Sequence, residues 1–386
     1  MSLKRQSSGS LLVILWLTLS LPQRSAAEEL DPDRSEVERV DELVISGELF
    51  THLRGVDAGG QRLSSFELSR AELGVQSTPH APWGWELRLE ALRSAGEASL
   101  MGVDGDSLVT RVKRAWGYYR LDGASWSLVT RAGLIPDVWH LKVMSAFPLR
   151  PIGPGQGERE GLQEPSDLGV SWTLSAHHQA IFMSVMNGEG RRYTEQNQGK
   201  DLLLGAHLSA PLLGQRAQLS VAYRDGSIGP ASGRNHRLYG ALTWRSSRVN
   251  VGVIGTYAWG YRDRPSREVL ATQAWAQGWV IPERLGLFGL GERLLTQGQG
   301  PALSADRWTV GLSHTLYRRP SSERSGALNV SLFESVERQV GDELNSPIQG
   351  QGSLADIWTL MATLSVAWGP APLHTEALSG VGLKDP

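Results

Sequence analysis

The chain has 386 residues, with 14 tryptophans, no cysteine and 20% charged residues. The lack of cysteine excludes disulfide frameworks, thiolate metal sites and cysteine nucleophiles. A bundle of transmembrane helices needs several apolar runs of about 18 residues, and a long apolar run occurs only at the N-terminus. The net charge of −2 at pH 7 argues against a nucleic-acid partner, because phosphate binding needs a basic face.

The N-terminus has the pattern of a secretory signal peptide. Lys4 and Arg5 precede the apolar run 11–21, and small residues follow at 25–27. Such a run is too short for a stable anchor. We therefore expect residues 1–27 to be a cleaved signal peptide, although an uncleaved anchor is the alternative. Residues 28–42 would then form a short periplasmic segment of a mildly acidic, exported chain.

From Leu43 onward the chain alternates apolar and polar residues in short segments, which are separated by glycine, proline, aspartate or serine. This period of two predicts β-strands, because successive side chains point to opposite faces of a sheet. Each segment is about as long as the 9–11 residues with which a tilted strand crosses a bilayer, and a few are longer. The sixteen predicted strands are 43–54, 63–76, 83–93, 110–120, 125–134, 166–176, 178–187, 201–209, 216–224, 234–245, 247–258, 268–280, 283–293, 305–317, 326–336 and 356–368.

The connections between these segments alternate between short and long. Connections such as 122–124 and 281–282 are short, whereas 94–109, 135–165 and 337–355 are long. Short periplasmic turns, long external loops and an even strand count are typical of an outer-membrane barrel. The sequence therefore predicts an all-β fold, a transmembrane antiparallel up-and-down β-barrel over residues 43–368. Its apolar side chains would face outer-membrane lipid, and its polar side chains a wet interior.

Tryptophan and tyrosine residues lie near many predicted strand ends, where outer-membrane barrels carry aromatic girdles. We interpret Trp368 as the terminal aromatic residue that barrel assembly machinery reads, and residues 369–386 as a periplasmic tail. The predicted girdle residues are Trp83, Trp85, Trp116, Tyr118, Trp126, Trp244, Tyr257, Trp259 and Trp368.

Four motifs stand in the second to fifth predicted strands. They are FELSRAELG at 66–74, WGWELRLE at 83–90, VKRAWGYY at 112–119 and RAGLIP at 131–136. Together they resemble the opening strands of the phosphate-selective porin O and P family. The resemblance covers about residues 60–165. It implies a 16-stranded, homotrimeric diffusion porin of a Gram-negative outer membrane.

Charged residues within the predicted strands are candidates for lining a pore. A charge on the lipid face costs about 2–4 kcal/mol at the bilayer midplane, so strand parity favours an inward position for each. These charges would either set a field that favours small polar or charged solutes, or only solvate the lumen. The predicted pore-lining residues are Glu86, Arg88, Glu90, Arg111, Lys113 and Arg131.

The longest connection, residues 135–165, is the candidate constriction of that pore. Its prolines stiffen the backbone, and the glycines of 153–157 allow it to turn. Folded inward, it would place charges in the channel; the alternative is an ordinary surface loop. The candidate constriction residues are Asp137, Lys142, Arg150 and Arg159.

Enzymatic functions have little support in this sequence. The nine histidines show no metal-binding spacing, and no G-x-S-x-G motif occurs, so we expect neither an enzyme nor a cofactor. His314 is a loose candidate for an outer-membrane lipase, and residues 28–42 are too few for the plug of an energised receptor. The remaining functions are a general porin for small polar solutes and a substrate-specific channel for a sugar, an organic acid or an exported polymer.

Overall fold

The computed structural model describes residues 43–58, 61–77, 82–95, 106–191, 198–212, 215–228, 233–261, 264–298, 302, 304–319, 327–341 and 356–369. The predicted signal peptide, the segment 28–42 and the predicted tail after Gly369 lie outside the described residues.

Each of the sixteen predicted segments coincides with an antiparallel strand, and the strands close into one barrel. Closure joins the first strand to the last, with Gly47 opposite Trp368 and Leu53 opposite Ala362. Two further short strands, β10 and β11, pair only with each other in the connection that follows β9. The strands are β1 (Val44–Ala58), β2 (Gln61–Gln76), β3 (Trp83–Ala95), β4 (Asp106–Asp122), β5 (Trp126–Pro136), β6 (Ser166–Ala176), β7 (Gln179–Met186), β8 (Asp201–Leu212), β9 (Gln215–Asp225), β10 (Ser227–Ile228), β11 (Gly233–Arg234), β12 (His236–Arg245), β13 (Val249–Tyr261), β14 (Arg264–Ile281), β15 (Leu285–Gly298), β16 (Ser304–Arg319), β17 (Ala327–Gly341) and β18 (Asp356–Gly369).

The turns at one end of the barrel are short, as predicted. β6 and β7 are joined through His177, whose φ is 50°, and β14 and β15 through a turn that contains Glu283 with a φ of 58°. This left-handed backbone is uncommon for residues other than glycine. It allows a reversal within two or three residues.

The outer face of the barrel is apolar. Large side chains such as Ile181, Leu242 and Val310 are exposed there, which is the reverse of a soluble barrel, whose apolar side chains face inward. Trp83 and Trp126 are also exposed, near the ends of their strands. The prediction that apolar side chains face outward is therefore confirmed.

Two of the predicted girdle residues point inward instead. Trp116 is buried and packs against Tyr118 inside the barrel. The cause is a β-bulge on β4, where Arg88 pairs with Arg114 and Leu89 with Val112, so that Lys113 is an extra residue. Because one extra residue reverses the parity of all later side chains on the strand, the residues after Lys113 face the opposite way from the prediction.

The interior is less polar than predicted, because apolar wall residues on β7 to β15 face a helix inside the barrel. That helix, α1 (Val138–Ala146), lies between β5 and β6 and is followed by the 3₁₀ turn Arg150–Ile152 and the short helix α2 (Gln156–Arg159). The apolar cluster between α1 and the wall includes Trp139, Val143, Phe147, Phe182, Leu203, Ile254, Trp275 and Phe288.

Within the described residues, the structure contains no helix that is both long enough and apolar enough to span a membrane.

Candidate functional site

The connection 137–165 crosses the interior of the barrel. Asp137 accepts a hydrogen bond of 2.8 Å from the His140 N–H and so caps the first turn of α1. Trp139, on that turn, is fully buried and stacks on Tyr239 of β12, with ring centroids 5.4 Å apart. Apolar packing therefore fixes the first half of the connection to the wall of the barrel. We call residues 137–165 the inner loop.

The second half of the inner loop makes polar contacts with several walls. His52 Nε2 of β1 donates to the carbonyl oxygen of Pro151 at 3.1 Å. The Gln156 N–H donates to Gln273 Oε1 of β14 at 3.0 Å. The Tyr239 hydroxyl donates to the Leu162 carbonyl oxygen at 3.1 Å. Contacts on β1, β12 and β14 hold the loop across the lumen rather than outside it.

Strands β2 to β4 present a dense cluster of charges to this loop. Lys113 Nζ lies 2.5 Å from Glu72 Oε1 and 3.4 Å from Glu90 Oε2. Arg70 Nη2 donates to Glu158 Oε1 of the inner loop at 2.9 Å. Basic side chains outnumber the carboxylates. We call this set the charge cluster; its ion-paired members are Arg70, Arg88, Arg111, Lys113, Arg114, Arg150 and Arg191 with Glu48, Glu72, Glu86, Glu90 and Glu158. We count Arg131 with the cluster because it interacts with Glu86 at longer range.

All six residues predicted to line a pore lie on the inner face of the barrel, where all but Arg131 form ion pairs within the set. Arg88 Nε donates to Glu86 Oε1 at 2.9 Å, and Arg111 Nη2 lies 3.0 Å from Glu90 Oε1. They are largely buried; the side chain of Lys113, for example, is 2% exposed. Most of the predicted pore-lining residues are therefore buried in the barrel wall and do not contact the water of the lumen directly.

The water-accessible part of the charge cluster is Arg150 on the inner loop and Glu48 on β1. Their side chains are 31% and 26% exposed, and Arg150 Nη2 lies 3.5 Å from Glu48 Oε2. The same nitrogen lies 3.5 Å from Glu72 Oε1, which is buried. Arg150 thus joins the exposed edge of the cluster to its buried centre.

Arg131 differs from the other cations of the cluster. Its Nη1 donates to Thr173 Oγ1 at 3.0 Å, and its guanidinium lies 5.6 Å from the centroid of the Trp116 ring. Within the described residues, no carboxylate lies within 4.0 Å of it, the separation that defines an ion pair. Its charge is therefore not cancelled by a direct partner.

Two of the predicted constriction residues, Asp137 and Lys142, have their side chains largely buried from water. Burial raises the pKa of Asp137 to about 6. Burial, assisted by Arg216, lowers the pKa of Lys142 to about 8. Burial also lowers the pKa of His140 to about 3, so this imidazole is neutral at pH 7. Asp137 acts as a helix cap, and neither Asp137 nor Lys142 forms an ion pair among the described residues.

Arg159 follows Glu158 on the inner loop, but its side chain reaches a different wall of the barrel. Its Nη2 donates to Glu292 Oε2 of β15 at 2.6 Å. Arg307 of β16 lies 3.5 Å from Glu337 Oε1 of β17 and 3.9 Å from the same Glu292 oxygen. Ion pairs therefore tie the inner loop to both β2 and β15.

Sequence reasoning missed several members of the charge cluster. Glu72 and Arg70 stand in the quoted motif 66–74 with the correct parity, so the same argument applied to that motif would have identified them. Glu158 stands in the loop and pairs with Arg70, 88 residues away in sequence. Such a partner cannot be found before the path of the loop is known.

Among the residues that the structure describes, His314 forms no hydrogen bond with a serine, as a lipase would require. It lies on the outer face, where its Nε2 is 3.6 Å from Glu334 Oε2. Within the described residues this nitrogen makes no hydrogen bond.

No protein-family model matches the chain, and no curated protein sequence matches it. Solved structures do. An anion-selective porin from Comamonas acidovorans is 15% identical, with a TM-score of 0.54 over 84% of this chain and 99% of that one. The outer membrane protein OmpT of Vibrio cholerae, solved in a trimer form, is 12% identical, with a TM-score of 0.54 over 85% and 99%. OmpF of Salmonella typhi is 10% identical, with a TM-score of 0.54 over 84% and 98%. The chain thus shares the barrel fold of Gram-negative outer-membrane porins.

Proposed function

We propose that this chain is an outer-membrane porin, a water-filled channel for passive diffusion of small hydrophilic or charged solutes. One observation carries the proposal: the closed, outwardly apolar barrel has an inner loop that meets a cluster of charges on the opposite wall. A charged lumen within an apolar outer face suits a membrane pore, because lipid excludes charge and water in the pore solvates it.

The route for solutes passes beside Arg150 and Glu48. These two side chains are the accessible part of the charge cluster, whereas the side chains of Glu72 and Lys113 are each 2% exposed. Buried charges still act on the channel, because protein of low dielectric screens them less than water does. Basic residues outnumber carboxylates in the cluster, so we propose that the channel prefers anions.

The finer assignments are also part of this proposal. The motifs in β2 to β5 favour the phosphate-selective porin O and P family within the porins. A homotrimer is in keeping with the trimer form in which the Vibrio cholerae neighbour was solved. A leader peptide would export the chain, and assembly machinery would insert it.

A substrate-specific channel is the second candidate. The observation that favours it is the degree of burial in the charge cluster, since densely packed charges leave a narrow passage. A narrow passage with fixed polar groups binds one kind of solute while it is being conducted.

Swelling of proteoliposomes separates these functions. A general porin admits neutral sugars at rates that fall smoothly with size, and anionic solutes of the same size faster. A specific channel admits one solute rapidly and excludes its isomers. Barrels that carry Ser145→Ala, a change at an exposed loop residue, serve as the control and should behave as wild type. Liposomes that exclude every solute would contradict the proposed function.

A further inference from the structure

A small polar cavity lies between the second half of the inner loop and strands β15 to β17. Its volume is about 40 Å³, which leaves room for about three groups the size of a water molecule. One charged residue of its wall, Asp306, pairs with Arg293 at 3.6 Å and so adds no net charge. We call this space the loop cavity; its lining residues are Gln156, Arg159, Glu160, Glu292, Leu294, Ala305, Asp306, Arg307 and Gln339.

The hydrogen-bond donors of the two arginines in this lining already have acceptors. Arg159 Nη2 donates to Glu292 Oε2 at 2.6 Å, and Arg159 Nε donates to Glu160 Oε1 at 3.3 Å. Arg307 Nη2 donates to Gln339 Oε1 at 2.9 Å. The guanidinium of Arg159 therefore reaches one oxygen of each of the two carboxylates.

The other oxygen of each carboxylate accepts no hydrogen bond. Glu292 Oε1 and Glu160 Oε2 are buried, and no residue that the structure describes donates to either of them. The side chain of Glu292 is 2% exposed and that of Glu160 is 12% exposed. Because a buried acceptor without a donor costs free energy, two such oxygens on residues that line one cavity favour a ligand that donates hydrogen bonds.

The charges beside the loop cavity leave one negative charge in excess. Three carboxylates, those of Glu160, Glu292 and Glu337, surround the two guanidiniums of Arg159 and Arg307, and all five groups interact electrostatically. Arg307 Nε lies 3.5 Å from Glu337 Oε1 and 3.9 Å from Glu292 Oε2. Since an unbalanced buried charge is unfavourable, a ligand that carries one positive charge fits here better than a neutral ligand.

A primary ammonium group meets both requirements. It carries one positive charge and three N–H donors, which is enough for both carboxylate oxygens. Water donates hydrogen bonds but does not balance the charge, and a quaternary ammonium group has no donor. Over the residues that it describes, the structure contains no group of three or more histidine, aspartate or glutamate side chains that could hold a metal ion.

Partly exposed side chains connect the loop cavity to the lumen. Arg307 and Glu337, on the inner face of β16 and β17, are 22% and 19% exposed. The short helix α2 also joins the cavity to the charge cluster, because Glu158 accepts from Arg70 of the cluster and the next residue, Arg159, donates to Glu292. A solute in the passage can therefore reach the cavity.

We infer that the loop cavity binds the primary ammonium group of a solute, through the free oxygens of Glu160 and Glu292. The inference rests on the proposed function and deepens it, since the ligand reaches the cavity through the channel. The charge cluster attracts an acidic group, and the loop cavity holds an amino group.

Titration with methylammonium chloride, added equally to both sides of a bilayer under a potassium chloride gradient, tests the inference. Bound methylammonium adds a positive charge to the wall of the lumen, so the zero-current potential should shift toward anion selectivity and then saturate. Tetramethylammonium chloride, whose cation has no N–H donor, should give no saturable shift.

Two variants remove different features of the site. Glu160→Gln removes a carboxylate and keeps the pair between Arg159 and Glu292, whereas Ala305→Leu narrows the cavity and keeps every charge. In both variants the half-saturating concentration of methylammonium should rise about tenfold or more, as expected when a hydrogen bond to a charged group is lost. The matched control is Glu67→Gln, which removes a carboxylate from β2, four strands from β16, and it should titrate as wild type.

Three results would overturn the inference: an equal saturable shift with tetramethylammonium, a wild-type half-saturating concentration in both variants, or an equal rise in the control. Wild-type channels that conduct and do not respond to methylammonium contradict the ammonium site and leave the proposed pore intact. Folded barrels that carry no current contradict the proposed function itself.

Discussion

Replacing Arg150 with alanine should reduce the preference of the channel for anions. The guanidinium is the most accessible cation of the charge cluster, at 31% exposure, and an ion in the proposed passage would pass about 5 Å from it. At that distance in water, two unit charges interact by about 0.8 kcal/mol. The change removes this attraction for an anion and the equal repulsion for a cation, about 1.6 kcal/mol in all.

That energy corresponds to an upper limit of about 15-fold in the ratio of anion to cation permeability. Glu48 and Glu72, each 3.5 Å from Arg150, oppose its field, so we expect a change of about 3- to 15-fold. The measurement is the zero-current potential across a bilayer with a potassium chloride gradient at low salt. The effect should shrink at 1 M salt, where the Debye length falls to about 3 Å.

The matched control for this change is Ser145→Ala, on the same loop, which should leave the zero-current potential unchanged. A wild-type value for Arg150→Ala at low salt would refute the placement of Arg150 beside the ion path. A shift that persists unchanged at 1 M salt would refute its electrostatic origin.

Three further predictions concern the inner loop. Trp139→Ala should cost about 3–5 kcal/mol of packing between loop and wall and should therefore increase current noise and loop proteolysis; a quiet, protease-resistant channel would contradict this. Because burial raises the pKa of Asp137 to about 6 in the folded chain, the stability that this group contributes should be full below about pH 4 and lost as pH rises through 6. Asp137→Asn keeps a capping side chain and should make the melting temperature less dependent on pH between pH 4 and 7. The same pH dependence in the variant as in wild type would contradict a role for Asp137 in it. Glu158→Gln removes a carboxylate that faces Arg70, so the zero-current potential should shift in the direction of greater anion selectivity. A shift toward cation selectivity would contradict the proposal that the excess of basic residues in the charge cluster sets the selectivity.

Strand positions were readable from the sequence because one face of each strand meets lipid and the other does not. Two segments, 178–187 and 283–293, were the least clear, since the latter reads as apolar on both faces. The structure supplies the reason: Phe182 and Phe288 face the apolar cluster around α1, while Ile181 and Leu287 face outward. Alternation fails where an inner loop covers the wall.

Other features depend on three-dimensional context. The bulge at Lys113 has no local pattern that marks it, yet it turns Arg114 and Trp116 inward. The sequence analysis did not predict helix α1, because it considered only the charges, prolines and glycines of residues 135–165. Val138 and Trp139 anchor this helix by apolar packing. Strand parity predicted that these charged side chains face inward. Their burial behind Arg150 could not be predicted, because it depends on the path of the inner loop.

The central claim is that a hydrated passage runs through the barrel beside the inner loop. Current through single barrels in a planar bilayer tests it most directly. We expect discrete, ohmic steps when purified chain is added to one side, with larger steps at higher salt. A correctly folded barrel that inserts into the bilayer and carries no current would contradict the claim.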